Sequence, residues 1–227
     1  MKFDIITIFP EAFSYLNESI LKRARKKGLV KIRIHNLRNF AKNKHRKIDD
    51  KPYGGGPGMV LKVEPLVKAI GSILRISKSQ FLISKHKIIL FSPNGKQFNN
   101  KIAAQLAKNY KRLILVCGRY EGIDERLKKV LRNWKLEIEN LSIGPYVLGG
   151  GELPAMVLID AVSRHLPGVL GKSESLEEKR LGVGVPSYTR PEIFIHKGKK
   201  YQAPKVLLSG NHAAITKWRI DHQRKKG

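Results

Sequence analysis

Fourteen residues, LSIGPYVLGGGELP at positions 141–154, carry the main clue to the architecture of this chain. They contain four glycines and two prolines, and they lead directly into an apolar segment, 152–166, whose spacing predicts a helix. Glycine-rich turns before helices often hold phosphates, but this one has neither a following Lys-Ser or Lys-Thr pair nor a strand–GxGxxG–helix unit. The stretch therefore indicates a ligand of another kind.

Outward from this loop, strand-like segments alternate with helix-like segments. Apolar runs predict strands at 2–9, 30–37, 87–91, 112–117 and 135–143. Helical spacing predicts helices at 11–27, 61–74, 99–109, from 124, at 152–166, and from Asn211 as N-cap. This alternation favours an α/β fold with a mainly parallel sheet. The long loop 40–59 between these elements is predicted to be functional or disordered.

Three of the predicted strands end in unusual loops: FSPNG at 91–95, CGRYEG at 117–122 and SIGPYVLGGGELP at 142–154. The carboxyl ends of parallel strands share one edge of a sheet, and ligands bind in the crevice there. These loops are poor in Lys and Arg, so they favour a ligand held by main-chain hydrogen bonds and apolar side chains, such as adenine with a thioether or sulfonium. That all three are plain structural turns stays open as the alternative.

The chain is strongly basic, with 45 Lys and Arg against 18 Asp and Glu and a formal charge of +27. Thirteen basic residues lie in 1–50, and nine follow from Lys197 onward against the single acid Asp221. Such an excess indicates a polyanionic partner, above all nucleic acid. The alternative is a source whose whole proteome is basic. A membrane surface is less well supported, because no long amphipathic helix carries an aromatic face.

The residues that bind metals or direct secretion are scarce. Cys117 is the only cysteine, which excludes a disulfide framework and a cysteine-based zinc site. The histidines show no ligand spacing, so no structural metal is predicted. The first residues lack a signal-peptide pattern, and no run reaches eighteen apolar residues, so we expect a cytoplasmic protein with no membrane partner.

Six motifs occur in order along the chain: HRKIDDKPYGGGPGMV, FSPNGK, VCGRYEGIDER, SIGPYVLGGGELPAMVLIDAVSRHLPGVLG, YTRPE and LLSGNHAAITKWR. Together they closely resemble the bacterial tRNA (guanine-N1)-methyltransferase family, of the SPOUT class. The resemblance implies an α/β fold with a deep trefoil knot and a small helical C-terminal domain. It also implies a knotted catalytic domain at 1–167, a linker at 168–186 and a basic tRNA-binding domain at 187–227.

The resemblance further implies an enzyme that transfers a methyl group from S-adenosylmethionine to N1 of the guanosine just 3′ of the anticodon, position thirty-seven. The partners it implies are the tRNA anticodon stem-loop and a second copy of the chain, in a homodimer with a composite active site. The family's reaction is stimulated by Mg²⁺, although the sequence offers no dedicated carboxylate cage for that ion.

By the same resemblance, the three strand-end loops form the pocket for the methyl donor. The knotted loop is expected to wrap the donor, and the two shorter loops complete the pocket. The residues so assigned are Leu90, Phe91, Ser92, Pro93, Gly118, Tyr120, Glu121, Ser142, Ile143, Gly144, Pro145, Tyr146, Val147, Leu148, Gly150, Gly151 and Pro154. Pro145 departs from the family, which usually has aspartate there, so any contact from that aspartate to the donor is lost.

The catalytic residues follow the family pattern only in part. Arg164 matches the arginine expected to stabilise charge near O6 of the guanine, although pairing with Asp160 is a local alternative. Lys179 stands where the family has its aspartate base. Three alternatives stay open: Glu178, which we favour, Glu177, or catalysis by another group in a slow or inactive protein.

The remaining motif residues are assigned to tRNA by the resemblance. They are Asp50, Tyr53, Gly58, Tyr188, Arg190, Asn211 and His212. Two other functions stay open beside the enzyme. One is a catalytically weak or inactive tRNA-binding protein on the same fold, suggested by Lys179 and Pro145. The other is a related knotted methyltransferase with a different RNA target, against which the YTRPE and SGNHAAI segments argue.

Overall fold

The computed structural model describes residues 1–74, 86–170 and 184–222. The chain divides into two compact units, Met1–Leu170 and Gly171–Gly227. Among the described residues, no helix combines the length and the apolar character needed to cross a membrane.

The first unit is built on a five-stranded sheet in the order β2-β1-β6-β5-β7, and every neighbouring pair is parallel. This confirms the predicted α/β fold. A separate antiparallel pair joins β3, inside the predicted long loop 40–59, to β4, which directly follows that loop. The strands are β1 (Lys2–Thr7), β2 (Lys31–Asn36), β3 (Asp49–Asp50), β4 (Val60–Leu61), β5 (His86–Gln97), β6 (Arg112–Val116) and β7 (Ile138–Ser142).

Helices cover both faces of this sheet. On one face Phe3 and Ile5 of β1 pack in a core with α3 and α5, and on the other Ile6 packs with α2 and α4. Burial on both sides explains why β1 and β6 are almost continuously apolar. The helices are α1 (Ser19–Lys26), α2 (Val63–Leu74), α3 (Asn100–Asn109), α4 (Arg126–Asn133) and α5 (Glu152–Arg164).

Two predicted elements differ in the structure. The single helix expected at 11–27 is a 3₁₀ segment, Pro10–Asn17, followed by α1, because the backbone of Glu18 is extended between them. The strand expected to stop at residue 91 continues to Gln97: the register of β5 against β7 shifts between Phe91 and Lys96, so residues 92–95 bulge from the strand. The FSPNG motif is therefore an excursion within β5 rather than its end.

The second unit contains a hairpin and two helices: β8 (Ile193–His196), β9 (Lys199–Gln202), α6 (Lys205–Leu208) and α7 (His212–Asp221). Asn211 caps α7 as predicted, since its side chain accepts a hydrogen bond from the N–H of Ala214 at 3.1 Å. The sequence reading did not foresee the hairpin, because its Lys197-Gly198 turn lacks the usual Asn-Gly or Asp-Gly signal. None of the residues described in 184–222 is buried.

Candidate functional site

A cavity of about 390 Å³ opens beside the bulge of β5 and the carboxyl ends of β6 and β7, three adjacent strands whose loops the sequence singled out. Its walls come from residues 90–93 of the β5 bulge, 118–125 after β6 and 140–151 after β7, together with Leu127, Lys128 and Pro154 of the helices that follow; Gly144 and Pro145 are the exceptions within these ranges. The volume falls in the range of small-molecule sites.

The structure thus brings together nearly all residues assigned to the methyl donor. The two that it leaves out of the lining are Gly144 and Pro145. The hydroxyl of Ser142 donates to the carbonyl of Gly144 at 2.8 Å, and the ring of Tyr146 covers the α-carbon of Gly144. The turn is therefore closed on itself, and Pro145 lies exposed at its tip.

The lining also contains residues that the sequence reading did not assign: Arg119, Gly122, Ile123, Asp124, Glu125, Leu127, Lys128, Asn140, Leu141 and Gly149. Five of these ten belong to the VCGRYEGIDER motif, which carries the family resemblance but was assigned to the pocket only in part. The motif itself was the signal that could have found them, because a loop that lines a cavity does so along its whole length.

The glycine-rich loop is held against the loop after β6 by close backbone contact. The N–H of Gly151 donates to the carbonyl of Gly118 at 2.9 Å, and Arg119 and Gly150 form an isolated antiparallel bridge. A Cβ added at Gly151 would lie 2.6 Å from the Cα of Cys117, so this position requires glycine. The close approach fixes one wall of the cavity relative to the next.

A buried carboxylate ties this wall to the end of β1. Glu152, the first residue of α5, accepts a hydrogen bond from the hydroxyl of Thr7 at 2.8 Å and pairs with Nε of Arg119 at 3.0 Å. The guanidinium of Arg119 lies 4.6 Å from the ring centre of Phe9. This network is here called the Thr7–Glu152–Arg119 cluster. It joins three separate segments of the chain, and it positions a wall of the cavity because Arg119 is part of the lining.

At the opposite wall, Asp124 is fixed by Arg126. Its carboxylate accepts from the N–H of Arg126 at 2.9 Å and pairs with that side chain at 2.6 Å. The side-chain hydrogen bond from Arg126 lowers the pKa of Asp124 below its usual value. Asp124 is thus held at the cavity wall by a neighbouring cation.

The long loop approaches the cavity at its end. The N–H of Glu121 donates to the carbonyl of Met59 at 3.0 Å, and Gly58 lies against the side chain of Glu121. Asp50 and Tyr53 lie outside the cavity lining. Asp50 pairs with Lys62 at 2.8 Å, and this bond lowers the pKa of Asp50 to about 2; Tyr53 is 97% exposed. Of the three loop residues assigned to tRNA, only Gly58 meets a cavity residue.

Arg164 lies at the last turn of α5, away from the cavity of its own chain. The lining includes Pro154 in the first turn, and ten residues of helix span roughly 15 Å. The local alternative of an Asp160–Arg164 pair is not seen among the described residues: Asp160 accepts from the hydroxyl of Tyr15 at 2.7 Å. Glu177 and Glu178, the candidate bases, lie outside the described residues.

In the second unit, Tyr188 and Arg190 line a cleft together with Arg219. Tyr188 packs edge-on against Trp218, with ring centres 6.2 Å apart. Asn211 and His212 are not in the lining of that cleft: the side chain of Asn211 caps α7, and that of His212 is exposed. Two of the four assigned residues of this unit thus share one surface.

Comparison with known proteins agrees with this site. The family model described as "tRNA (Guanine-1)-methyltransferase TrmD" matches residues 1–227. The chain belongs to this family.

Several relatives carry the printed name tRNA (guanine-N(1)-)-methyltransferase. One from Dictyoglomus turgidum is 48% identical over 100% of this chain and 86% of its own length. One from Dehalococcoides mccartyi is 49% identical over 96% of this chain and 84% of its own. One from Thermomicrobium roseum is 50% identical over 96% of this chain and 77% of its own.

Residues 1–74, 86–170 and 184–222 contain no group of three or more His, Cys, Asp or Glu side chains that could hold a metal ion.

Proposed function

We propose that this protein is a tRNA (guanine-N1)-methyltransferase that transfers a methyl group from S-adenosylmethionine to N1 of the guanosine just 3′ of the anticodon. The observation that carries the proposal is the cavity beside the bulge of β5 and the ends of β6 and β7, lined by the motifs of the family to which the chain belongs. A cytoplasmic location fits this substrate.

The cavity suits a cationic methyl donor. The two cationic side chains of the lining are paired, Arg119 with Glu152 at 3.0 Å and Lys128 with Glu125 at 2.8 Å, and the carboxylates of Glu121 and Asp124 also belong to the lining. Main-chain groups and apolar side chains of the three loops supply the rest of the surface. S-adenosylmethionine, when bound, supplies a methyl group on a sulfonium. The three loops would hold it against the backbone of 149–151.

The substrate imposes two demands on side chains, since N1 of guanine carries a proton and charge develops on O6 as that proton leaves. A base must accept the proton, and a cation must stabilise the charge. We assign the base to Glu178, with Glu177 as the alternative, because Lys179 at the expected position has a reference pKa of about 10.4 and is a poor base. We assign the cation to Arg164.

The placement of Arg164 supports a homodimer with a composite site. Arg164 lies roughly ten residues of helix beyond the cavity wall of its own chain, so a second copy is the natural source of this group. An exposed apolar surface beside the cavity supports the same conclusion: Val147 is 82% exposed, and Leu153 and Val157, one turn apart on α5, are 57% and 46% exposed. Covering these residues in a dimer removes apolar surface from water.

The second unit, with Tyr188 and Arg190 in its cleft, is proposed to bind the anticodon stem-loop of the tRNA. The knotted path of 141–154 and stimulation by Mg²⁺ stay predictions from the family resemblance.

The test is methyl transfer from labelled S-adenosylmethionine to two tRNA transcripts that differ only at position thirty-seven, guanosine or adenosine. Label on the guanosine transcript alone is expected. Glu178→Gln should abolish it, and Glu177→Gln is the matched control. Loss in the Glu177 variant alone would move the base to that residue. A wild-type protein that binds tRNA without transferring label would instead support the inactive binding protein.

A further inference from the structure

The hairpin of the second unit carries three aromatic rings on one face. Phe194 lies opposite Tyr201 in the strand register, and His196 lies opposite Lys199, so these four side chains project from the same face. The ring of Phe194 lies 6.1 Å from that of His196, with 13° between their planes, and 6.2 Å from that of Tyr201. The rings form a continuous patch, here called the aromatic face.

This patch is open to solvent. Phe194 is 56% exposed and Tyr201 is 54% exposed, and on the other face Ile193 and Ile195 are 41% and 60% exposed. A two-stranded hairpin with both faces exposed is only marginally stable in water. Aromatic rings exposed on such a hairpin therefore indicate binding to a partner rather than packing within the chain.

The turn of the hairpin has the backbone geometry that suits the two strands it joins. Lys197 and Gly198 both have positive φ, 46° and 76°. A two-residue turn with positive φ at both positions matches the twist of the flanking strands. The ladder continues past the strands, with the N–H of Ala203 donating to the carbonyl of Glu192 at 2.9 Å. The backbone pairing of the hairpin thus extends from the turn to Ala203 and sets the spacing of the rings.

Charge identifies the partner. The turn and β9 carry three lysines, and Lys199 shares the face with the rings. The acid nearest the hairpin, Glu192, accepts a hydrogen bond from the amide of Gln202 at 3.2 Å. The described residues of this unit include two acids, Glu192 and Asp221, against seven basic residues: Arg190, Lys197, Lys199, Lys200, Lys205, Lys217 and Arg219.

This combination fits RNA better than an apolar protein surface. Unpaired RNA bases stack on aromatic side chains, while lysines beside them contact the phosphates. A protein partner would have to cover the lysines together with the rings, which costs desolvation unless it is acidic.

We propose that the aromatic face binds an unpaired nucleotide of the substrate tRNA, whose base stacks on Phe194 or Tyr201 while Lys199 contacts an adjacent phosphate. The inference rests on the proposed function, since it takes tRNA as the substrate. It adds a base-stacking contact to a unit in which Tyr188, Arg190, Asn211 and His212 are assigned to tRNA by the family resemblance.

The decisive comparison is between two double variants on opposite faces of the hairpin. Phe194→Leu with Tyr201→Leu keeps apolar side chains but removes stacking. Ile193→Leu with Ile195→Leu is the matched control. Loss of stacking should raise both the Kd for tRNA and the KM for tRNA by about tenfold, with kcat at saturating tRNA unchanged. The control should leave Kd and KM unchanged, and equal losses in the two variants would contradict a face-specific contact.

Lys199 provides an independent readout. Lys199→Gln should reduce the slope of log Kd against log salt concentration by about 0.9, the value for one lost phosphate contact. An unchanged slope would contradict the phosphate contact. Tyr201→Phe keeps a ring and should bind tRNA as the wild type does.

The outcomes separate this inference from the function itself. If the wild type methylates tRNA but the Phe194/Tyr201 variant binds it with unchanged Kd and KM, the aromatic face is not an RNA contact and the function stands. If that variant weakens self-association instead, with tRNA affinity unchanged, the face is a protein interface and the inference is wrong. A wild type without methyl transfer would count against the function, while the Kd comparison would still decide the role of the face.

Should the double variant fail to fold by circular dichroism, ultraviolet cross-linking of the wild type to tRNA decides the question. Adducts on the peptide that contains 193–202 are expected. Adducts confined to other peptides would overturn the inference.

Discussion

At the scale of single residues, the Thr7–Glu152–Arg119 cluster is the feature on which the shape of the cavity depends most. Glu152 is 3% exposed, and its carboxylate joins the end of β1, the loop after β6 and the start of α5. A buried carboxylate is stable only where charge and hydrogen bonds compensate its lost hydration. Arg119 and Thr7 provide that compensation, so the three residues act as one unit.

Glu152→Gln should lower the free energy of unfolding by about 2 kcal/mol, because it leaves Arg119 without its counter-charge. The figure is below that of a fully buried pair, since the side chain of Arg119 is 29% exposed. The KM for S-adenosylmethionine should rise as the cavity wall loosens. Denaturant unfolding and steady-state kinetics measure the two effects.

Glu139→Gln is the control for that substitution. Glu139 pairs with Lys87 at 2.8 Å but lies outside the cavity lining, so its loss should leave the KM for the donor unchanged. An equal rise of KM in both variants would contradict a specific role for the Thr7–Glu152–Arg119 cluster.

Asp124 supports a prediction about pH. Its folded-state pKa is lowered by Arg126, so its contribution to stability is present above the unfolded pKa of about 3.9 and is lost as pH falls through the lower folded value. Asp124→Asn should cost about 0.5 kcal/mol at pH 7, because it removes the charge that pairs with the exposed Arg126 side chain. The difference from wild type should shrink below about pH 4. A difference that stays constant from pH 7 to about pH 3 would contradict the ion pair.

Some residues of the site were predicted from the sequence, and some of its contacts were not. The motif residues Leu90, Gly118 and Ile143 were assigned to the donor pocket through the family resemblance, and all three line the cavity. The hydrogen bond between Thr7 and Glu152 could not be predicted, because 145 positions separate the two residues and nothing in the local sequence pattern marks Thr7. Long-range side-chain pairing is set by packing, and local sequence patterns do not record it.

At the scale of elements, the glycine-rich loop works through close backbone contact rather than through phosphate binding. Gly151 lies against Cys117 and Gly118, whereas the neighbouring Gly149 has free space around its α-carbon. The two positions look equivalent in the sequence. The structure separates them, because the approach of a second backbone is a tertiary feature.

Gly151→Ala should therefore be damaging and Gly149→Ala mild. A Cβ at Gly151 would lie 3.0 Å from the backbone nitrogen of Gly118. The two backbone segments could move apart only by breaking the hydrogen bond from the N–H of Gly151 to the carbonyl of Gly118. We expect a loss of about 1–3 kcal/mol in the free energy of unfolding. At Gly149 the nearest atom is Nη1 of Arg119 at 3.9 Å.

The measurement is thermal unfolding together with calorimetric titration of S-adenosylmethionine. Gly151→Ala should show weakened binding of the donor, and Gly149→Ala should not. Equal donor affinity and equal thermal stability of the two variants would contradict the view that the contact of Gly151 with Gly118 shapes the cavity.

Element prediction failed where tertiary structure overrides the local pattern. Helical spacing in 11–27 was correct, but an extended Glu18 breaks the segment in two. Strand β5 extends past its proline-containing bulge because β7 pairs with it on both sides of that bulge. Both differences depend on neighbours that a local reading of the sequence does not contain.

At the scale of the whole molecule, the formal charge of +27 is the property that most affects the encounter with RNA. Basic residues at both ends of the chain were predicted to face a polyanion, with a generally basic proteome as the alternative. The two explanations differ in the salt dependence of binding, since phosphate contacts release counterions and scattered surface charges release few.

We therefore expect the Kd for tRNA to rise steeply with salt, by at least about tenfold between roughly 50 and 200 mM. Filter binding across that range measures the slope. A shallow dependence would contradict a phosphate-binding surface and favour the proteome explanation.

The fold class was predictable at this scale because alternating strand and helix patterns leave few topologies, and the three strand-end loops located the cavity. The catalytic base could not be predicted in the same way. Lys179 stands where the family resemblance places an aspartate, and both carboxylate candidates, Glu177 and Glu178, lie outside the described residues. The dimer, the bound donor and the position of the tRNA likewise depend on partners that one chain does not display.

The most direct test of the central claim is to identify the methylated nucleoside. Purified protein is incubated with S-adenosylmethionine and an unmodified tRNA transcript that carries guanosine at position thirty-seven, and the digested product is analysed by liquid chromatography and mass spectrometry. The account predicts 1-methylguanosine at that position. Methylation at another guanine atom, at a ribose or at a different position would contradict it, as would an unmodified transcript recovered from a protein that binds both substrates.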